Sequence, residues 1–194
     1  VITATGLGDI ILGGVLSIAG NNVLIALFLT MVCCIILGMG VPTTANYIIM
    51  SSICAPILVE MGIPMIAAHF FVFYFGIVAD ITPPVALAAY AGSAIAKSNP
   101  LKTGVTATKL AIAAFIVPYM LAMNPAMLIV DTQPLDVIQI VITSLFGIFG
   151  LSAGLEGYAL RPAGWVERII LIAAGLMLVI PELVTDIVGI VLIV

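Results

Sequence analysis

Two short polar stretches lie inside apolar runs: Gly38-Met39-Gly40-Val41-Pro42-Thr43-Thr44 and Asp80-Ile81-Thr82-Pro83-Pro84. Each combines a helix breaker with hydroxyl groups. Glycine lets backbone approach closely, and proline removes an amide donor and pushes the preceding residue out of helical geometry. A helix broken this way leaves carbonyls, partly negative, at the end of its first half and amides, partly positive, at the start of its second. Free carbonyls suit a bare cation such as Na+; free amides suit an anion such as a carboxylate. The candidate ion- and substrate-binding residues are therefore Gly38, Gly40, Val41, Pro42, Thr43 and Thr44 at the first break, and Asp80, Ile81, Thr82, Pro83 and Pro84 at the second. Asn46 is close enough to the first to help ligate.

Asp80 is the only acid between Glu60 and Asp131. A charge at membrane depth costs about 2.5–3.5 kcal/mol on insertion scales, so it faces a cavity or a partner. Three roles fit it: sodium ligand, proton carrier, or helix cap bonded to freed amides around Thr82. His69, alone on an apolar run, reads as a hydrogen-bonded packing residue ahead of a proton relay. Asn46, Ser51 and Ser52 read first as hydrogen-bonding groups between helices, with ligation the second reading for Asn46. Cys33, Cys34 and Cys54 match no zinc or redox spacing and read as small hydrophobes. Gly147, Gly150, Gly154 and Gly157 read as close helix packing. No nucleophile–base pair, phosphate loop or two-carboxylate site is present.

The elements that must position these residues belong to a membrane protein. The 194 residues are 64% apolar and 7% charged, with a mean hydropathy of +1.40, against about 45–50% and about 25% in soluble domains. Five basic residues and a net charge of −4 exclude nucleic acid as a partner and leave the lipid bilayer as the surroundings. The fold class expected is all-α, polytopic, with a re-entrant helical hairpin and a discontinuous transmembrane helix. Residues 1–22 carry Ile10, Ile11, Val15 and Ile18 at helical spacing and predict an interfacial amphipathic arm helix.

Residues 23–60 form two apolar arms, each about 22–25 Å long at helical rise and short for the ~30 Å of a full crossing. They predict a re-entrant hairpin rather than two thin crossings. Residues 63–97 predict one helix broken into 64–79 and 84–97. A helix with a kink at Pro118 is expected over 106–123, and residues 131–194 predict extra transmembrane helices near 136–153 and 168–181, with an apolar tail, 187–194, too short to span. Lys97, Lys102, Lys109, Arg161 and Arg168 place 97–105 and 155–167 inside and the acidic loop 124–136 outside. The hairpin then opens outward, and Tyr158 and Trp165 serve as interfacial anchors.

Three motifs carry a resemblance: Leu37-Gly38-Met39-Gly40-Val41-Pro42-Thr43-Thr44-Ala45-Asn46-Tyr47, Ala68-His69-Phe70-Phe71-Val72-Phe73-Tyr74-Phe75-Gly76, and Asp80-Ile81-Thr82-Pro83-Pro84-Val85-Ala86-Leu87-Ala88-Ala89-Tyr90. Together they resemble the large permease of tripartite ATP-independent periplasmic (TRAP) transporters, and in particular the fused permease served by TAXI-type binding proteins. The similarity covers about residues 1–130; the rest is similar to the extra C-terminal helices of the fused form. It implies sodium-driven uptake of organic acids by an elevator mechanism in a bacterial or archaeal inner membrane. Na+ is then the coupling ion and no cofactor is needed. A periplasmic substrate-binding protein, an N-terminal permease half and small-subunit helices are the implied partners.

Carried onto this chain, Na+ is held through Gly38, Gly40, Asp80 and Thr82, with Thr43 and Thr44 near the substrate carboxylate. The family builds its site from two inverted repeats, whereas residues 1–194 hold one hairpin and one broken helix and open on Val1. The chain is thus expected to be the C-terminal portion of such a permease, a transport-domain half over 23–130 followed by the helices of 131–194, and not to transport alone. Two other readings compete: a non-catalytic membrane assembly module, and an intramembrane enzyme using Asp80 and His69, which lacks a second catalytic acid.

Overall fold

A computed structural model describes residues 6–128, 133–159, 161–179 and 183–193. Every regular element among them is helical, and the chain divides into two compact units, residues 1–108 and 109–194.

The first unit opens with α1 (Leu7–Ala19), a helix within the stretch 1–22. Asn22 then caps α2 (Val23–Leu37), its Oδ1 accepting from the amides of Leu24 (3.0 Å) and Ile25 (3.2 Å), which satisfies two of the helix's orphan donors. The hairpin returns through α3 (Thr43–Ile53) and α4 (Ala55–Glu60). The second arm is therefore two helices, parted at Cys54, with Pro56 opening the second. α5 (Met65–Val78) runs into a 3-10 turn at Ala79–Ile81, and α6 (Leu87–Ile95) resumes beyond the unwound link.

Leu27 and Cys34 of α2, Met50 and Ile53 of α3, Ile57 and Leu58 of α4, and Phe71, Val72 and Phe75 of α5 are buried together as the core. Phe71 and Phe75 meet at 4.7 Å between ring centroids. The outward faces are also apolar: Phe28, Ile48, Met65, Ile66 and Phe73 are exposed. Such faces require lipid or another apolar chain.

Residues 97–105, expected as a loop, mostly form α7 (Pro100–Leu110). Asn99 Oδ1 accepts from the Lys102 amide at 3.0 Å, and Pro100 takes the first helical position, where its missing amide costs nothing. The helix expected over 106–123 is therefore two, α7 and α8 (Ile112–Met123), parted at Ala111; Pro118 lies inside α8.

The second unit continues through a 3-10 turn (Pro125–Leu128) to α9 (Pro134–Glu156), α10 (Trp165–Val179) and α11 (Leu183–Ile193). Much of the tail expected over 187–194 is thus part of a helix that starts earlier. Among the described residues, Val137–Glu156 is the one unbent helix long and apolar enough to cross a bilayer. The glycine stripe packs as expected: a Cβ on Gly147 would stand 3.1 Å from the Gly175 carbonyl, and one on Gly175 would stand 2.7 Å from the Gly147 carbonyl. Arg168 fastens the end of α9, donating from Nε to Gly154 O (2.9 Å) and from a terminal nitrogen to Leu155 O (2.7 Å), so a cation sits at the negative end of the helix dipole.

Candidate functional site

The hairpin tip and the helix break lie side by side, joined by Asn46. Gly38 ends α2 with its amide on Cys34 O at 2.8 Å. Gly40 turns the chain at φ +77°, a left-handed conformation that glycine adopts without a Cβ penalty. Pro42 then opens α3, its carbonyl accepting from the Asn46 amide at 2.9 Å.

The Asn46 side chain is 1% exposed and reaches across to α5, where Nδ2 donates to Gly76 O at 2.8 Å. Two glycines make room for it: a Cβ on Gly38 would stand 2.6 Å from Nδ2, and one on Gly76 would stand 3.1 Å from it. The same hypothetical Cβ on Gly38 lies 3.0 Å from Ala79 Cβ, the first residue of the 3-10 turn. Asn46 Oδ1 is buried and has no hydrogen-bond donor among the described residues. A buried amide oxygen left in that state costs about 1–3 kcal/mol, and it is a hard oxygen of the kind a bare alkali cation accepts.

Beyond Ala79 the link is held by its own chain and by α7. Thr82 donates from its hydroxyl to Val78 O at 2.6 Å and from its amide to Ala79 O at 3.3 Å. Thr108 Oγ1 lies 3.2 Å from Ile81 O, and Tyr90 donates its hydroxyl to Pro84 O at 2.7 Å. Gly104, one turn before Thr108, lets Pro83 and Tyr90 close in, since a Cβ there would meet each at 3.2 Å. Ala86 starts α6 at φ +39°, ψ +48°, a left-handed conformation unusual for a residue with a Cβ. Neither α3 nor α6 has a side-chain cap at its start, so their first amides remain available to an anion.

The predicted residues thus separate into two groups. Gly38 and Asn46 meet the first half of the break, while Ile81, Thr82, Pro83 and Pro84 are fixed within the unwound link. Gly40, Pro42, Thr43 and Thr44 are exposed and Val41 half-buried; the two threonine hydroxyls make no hydrogen bond to a described residue. Asp80 is half-buried in the 3-10 turn and makes no hydrogen bond or ion pair with a described residue. The cap considered for it is not formed; Thr82 satisfies the end of the helix instead.

His69 packs as expected, its Nδ1 3.0 Å from the Tyr47 hydroxyl, with the Tyr47 ring edge-on to both His69 and Phe73. It stands eleven residues from Asp80, about 16 Å at helical rise, too far for the two to act as one acid–base pair. Gly104 and Thr108 were missed in the sequence, where the Asn99-Pro100 helix start was the available signal for them, and Tyr90 was read only as part of a motif, with no role of its own. Thr30, a polar residue buried in α2 with no partner for Oγ1 among the described residues, was also missed.

Neither a curated protein nor a solved structure matches the chain. The sequence profile of one family, the tripartite ATP-independent periplasmic transporter, DctM component, matches residues 1–135. That stretch holds the hairpin, the break and the whole of α7, so this chain belongs to the DctM family, the large membrane permease component of TRAP transporters.

Proposed function

We propose that this chain supplies one ion- and substrate-binding half of a sodium-driven uptake system for organic acids, fed by a periplasmic binding protein in a prokaryotic inner membrane. The observation that carries the reading is Asn46: a buried side chain bonded to the broken helix through Nδ2, with Oδ1 left unpartnered beside the hairpin tip. A cation held there draws on Asn46 Oδ1 and on backbone carbonyls of Gly38 and Gly40, with Asp80 as the nearby unpaired carboxylate and Thr82 holding the end of the broken helix in shape. The amides that open α3 and α6 and the hydroxyls of Thr43 and Thr44 suit a carboxylate substrate. Sodium and anion would then lie on elements that Asn46 makes move together, which is what coupling requires: each ligand favours the arrangement the other needs.

The test is uptake by the assembled transporter in proteoliposomes, with Pro83 and Pro84 both replaced by Ala. A site role predicts normal expression and folding with sodium-dependent uptake lost. A packing module with no transport role predicts the opposite: poor expression, but unchanged activity per folded molecule.

A further inference from the structure

The second unit holds a feature that the transport reading does not use. The helix able to cross a bilayer ends at Glu156, so the connection from α9 to α10 lies at the membrane surface. Tyr158 and Trp165 are exposed there, as aromatic residues are at such a boundary. The connection is folded: Ala163 donates its amide to Gly157 O at 2.8 Å, and Ala159 donates to Arg161 O at 3.1 Å. It holds Arg161 against Glu167 of α10, Nη2 to Oε1 at 2.8 Å, with both side chains exposed. This pair lines an open cavity of about 610 Å3 whose other walls include Phe149 of α9, Ile170 and Leu171 of α10, and Leu192 and Ile193 of α11. Phe149 precedes Glu156 by seven residues, about 10 Å deeper at helical rise. The cavity therefore runs from two charges at the surface to hydrocarbon depth, with the volume of a small-molecule site.

We propose that this cavity binds one phospholipid with a zwitterionic, primary-ammonium headgroup, of the phosphatidylethanolamine type. The apolar walls take the upper part of an acyl chain. The headgroup inserts between the two charges: Arg161 donates to the phosphate, and the ammonium donates to Glu167 Oε1. An exposed ion pair adds little stability of its own, so it opens readily to make these two contacts in place of one. Glu167 stays anchored meanwhile, because its Oε2 accepts from the Gly164 amide at 2.8 Å. Charge selects the headgroup. From Glu156 to Arg168 the chain carries two acids and two bases, and Arg168 is engaged with Gly154 O and Leu155 O. A rim with no net charge favours a headgroup with none, over an anionic one. An ammonium with three N–H donors can hydrogen-bond a carboxylate, which the quaternary ammonium of a choline lipid cannot.

The experiment places the purified chain in nanodiscs of phosphatidylethanolamine, phosphatidylcholine and phosphatidylglycerol in equal parts with identical acyl chains. The chain is then moved into mild detergent, and the lipid it retains is counted by native mass spectrometry. One phosphatidylethanolamine per chain is expected, retained about tenfold over the other two, the worth of one charge-assisted hydrogen bond. Arg161→Gln and Glu167→Gln should each remove that preference. Glu167→Gln keeps a side-chain oxygen for the Gly164 amide, so the start of α10 is preserved. Ala163→Leu, which fills the cavity from its lining, should abolish retention while the circular dichroism melt stays native-like. Should Ala163→Leu fail to fold, Ala159→Leu serves the same purpose. No lipid retained, equal retention of the three headgroups, a preference for phosphatidylglycerol, or a preference unchanged by both charge substitutions would overturn the proposal.

Discussion

Asn46 joins the hairpin to the broken helix through one hydrogen bond, so its replacement removes two features at once. Asn46→Ala removes both the bond to Gly76 O and the unpartnered Oδ1. Thermal unfolding in nanodiscs should report a loss of about 1–3 kcal/mol, and sodium should no longer stabilise the chain. Gly38→Ala attacks the same contact from the other side, driving a methyl to 2.6 Å from Nδ2, and should cost about 1–3 kcal/mol. The Gly38→Ala/Asn46→Ala double variant should recover part of that loss, since the clash and its partner are coupled. Full additivity in the cycle would mean that the two residues do not share the contact. The residue types were readable in the sequence because Gly, Pro and Thr punctuate apolar runs. That Asn46 bonds between helices was also readable, but its partner Gly76 was not, because the two positions lie 30 residues apart and no local pattern encodes such a pairing.

At the scale of elements, the unwound link depends on the left-handed start of α6. Ala86→Gly should leave stability unchanged or raise it slightly, while Ala86→Val should lower it by more than about 1 kcal/mol, as a β-branched residue resists positive φ; circular dichroism melts distinguish the two. In the second unit, Gly175→Leu should unfold the α9–α10 pair, because a Cβ there already falls 2.7 Å from backbone and side-chain atoms of α9. Retained near-native exchange protection across α9 in that variant would contradict the packing described. The hairpin, the break and the C-terminal helices were all legible from apolar length and breaker residues. The first half of α7 was not: Lys97, Asn99, Pro100 and Lys102 make 97–105 read as a loop, yet Gly104 and, one turn later, Thr108 pack against the link. Cys54 likewise gave no sign that it would divide the second arm.

For the whole molecule, the apolar faces left exposed on α2, α3 and α5 call for lipid or further permease helices, and the family match over residues 1–135 agrees with a chain that works inside a larger membrane assembly. The central claim is that the hairpin tip and the unwound link act as one sodium-coupled site through Asn46. Its most direct test is carboxylate uptake by the assembled transporter and its binding protein in proteoliposomes, measured with and without an inward sodium gradient, for the native chain and for Asn46→Ala. The account predicts uptake that requires the gradient and is lost in folded Asn46→Ala protein. Uptake indifferent to sodium, or a sodium dependence unchanged by the substitution, would contradict it.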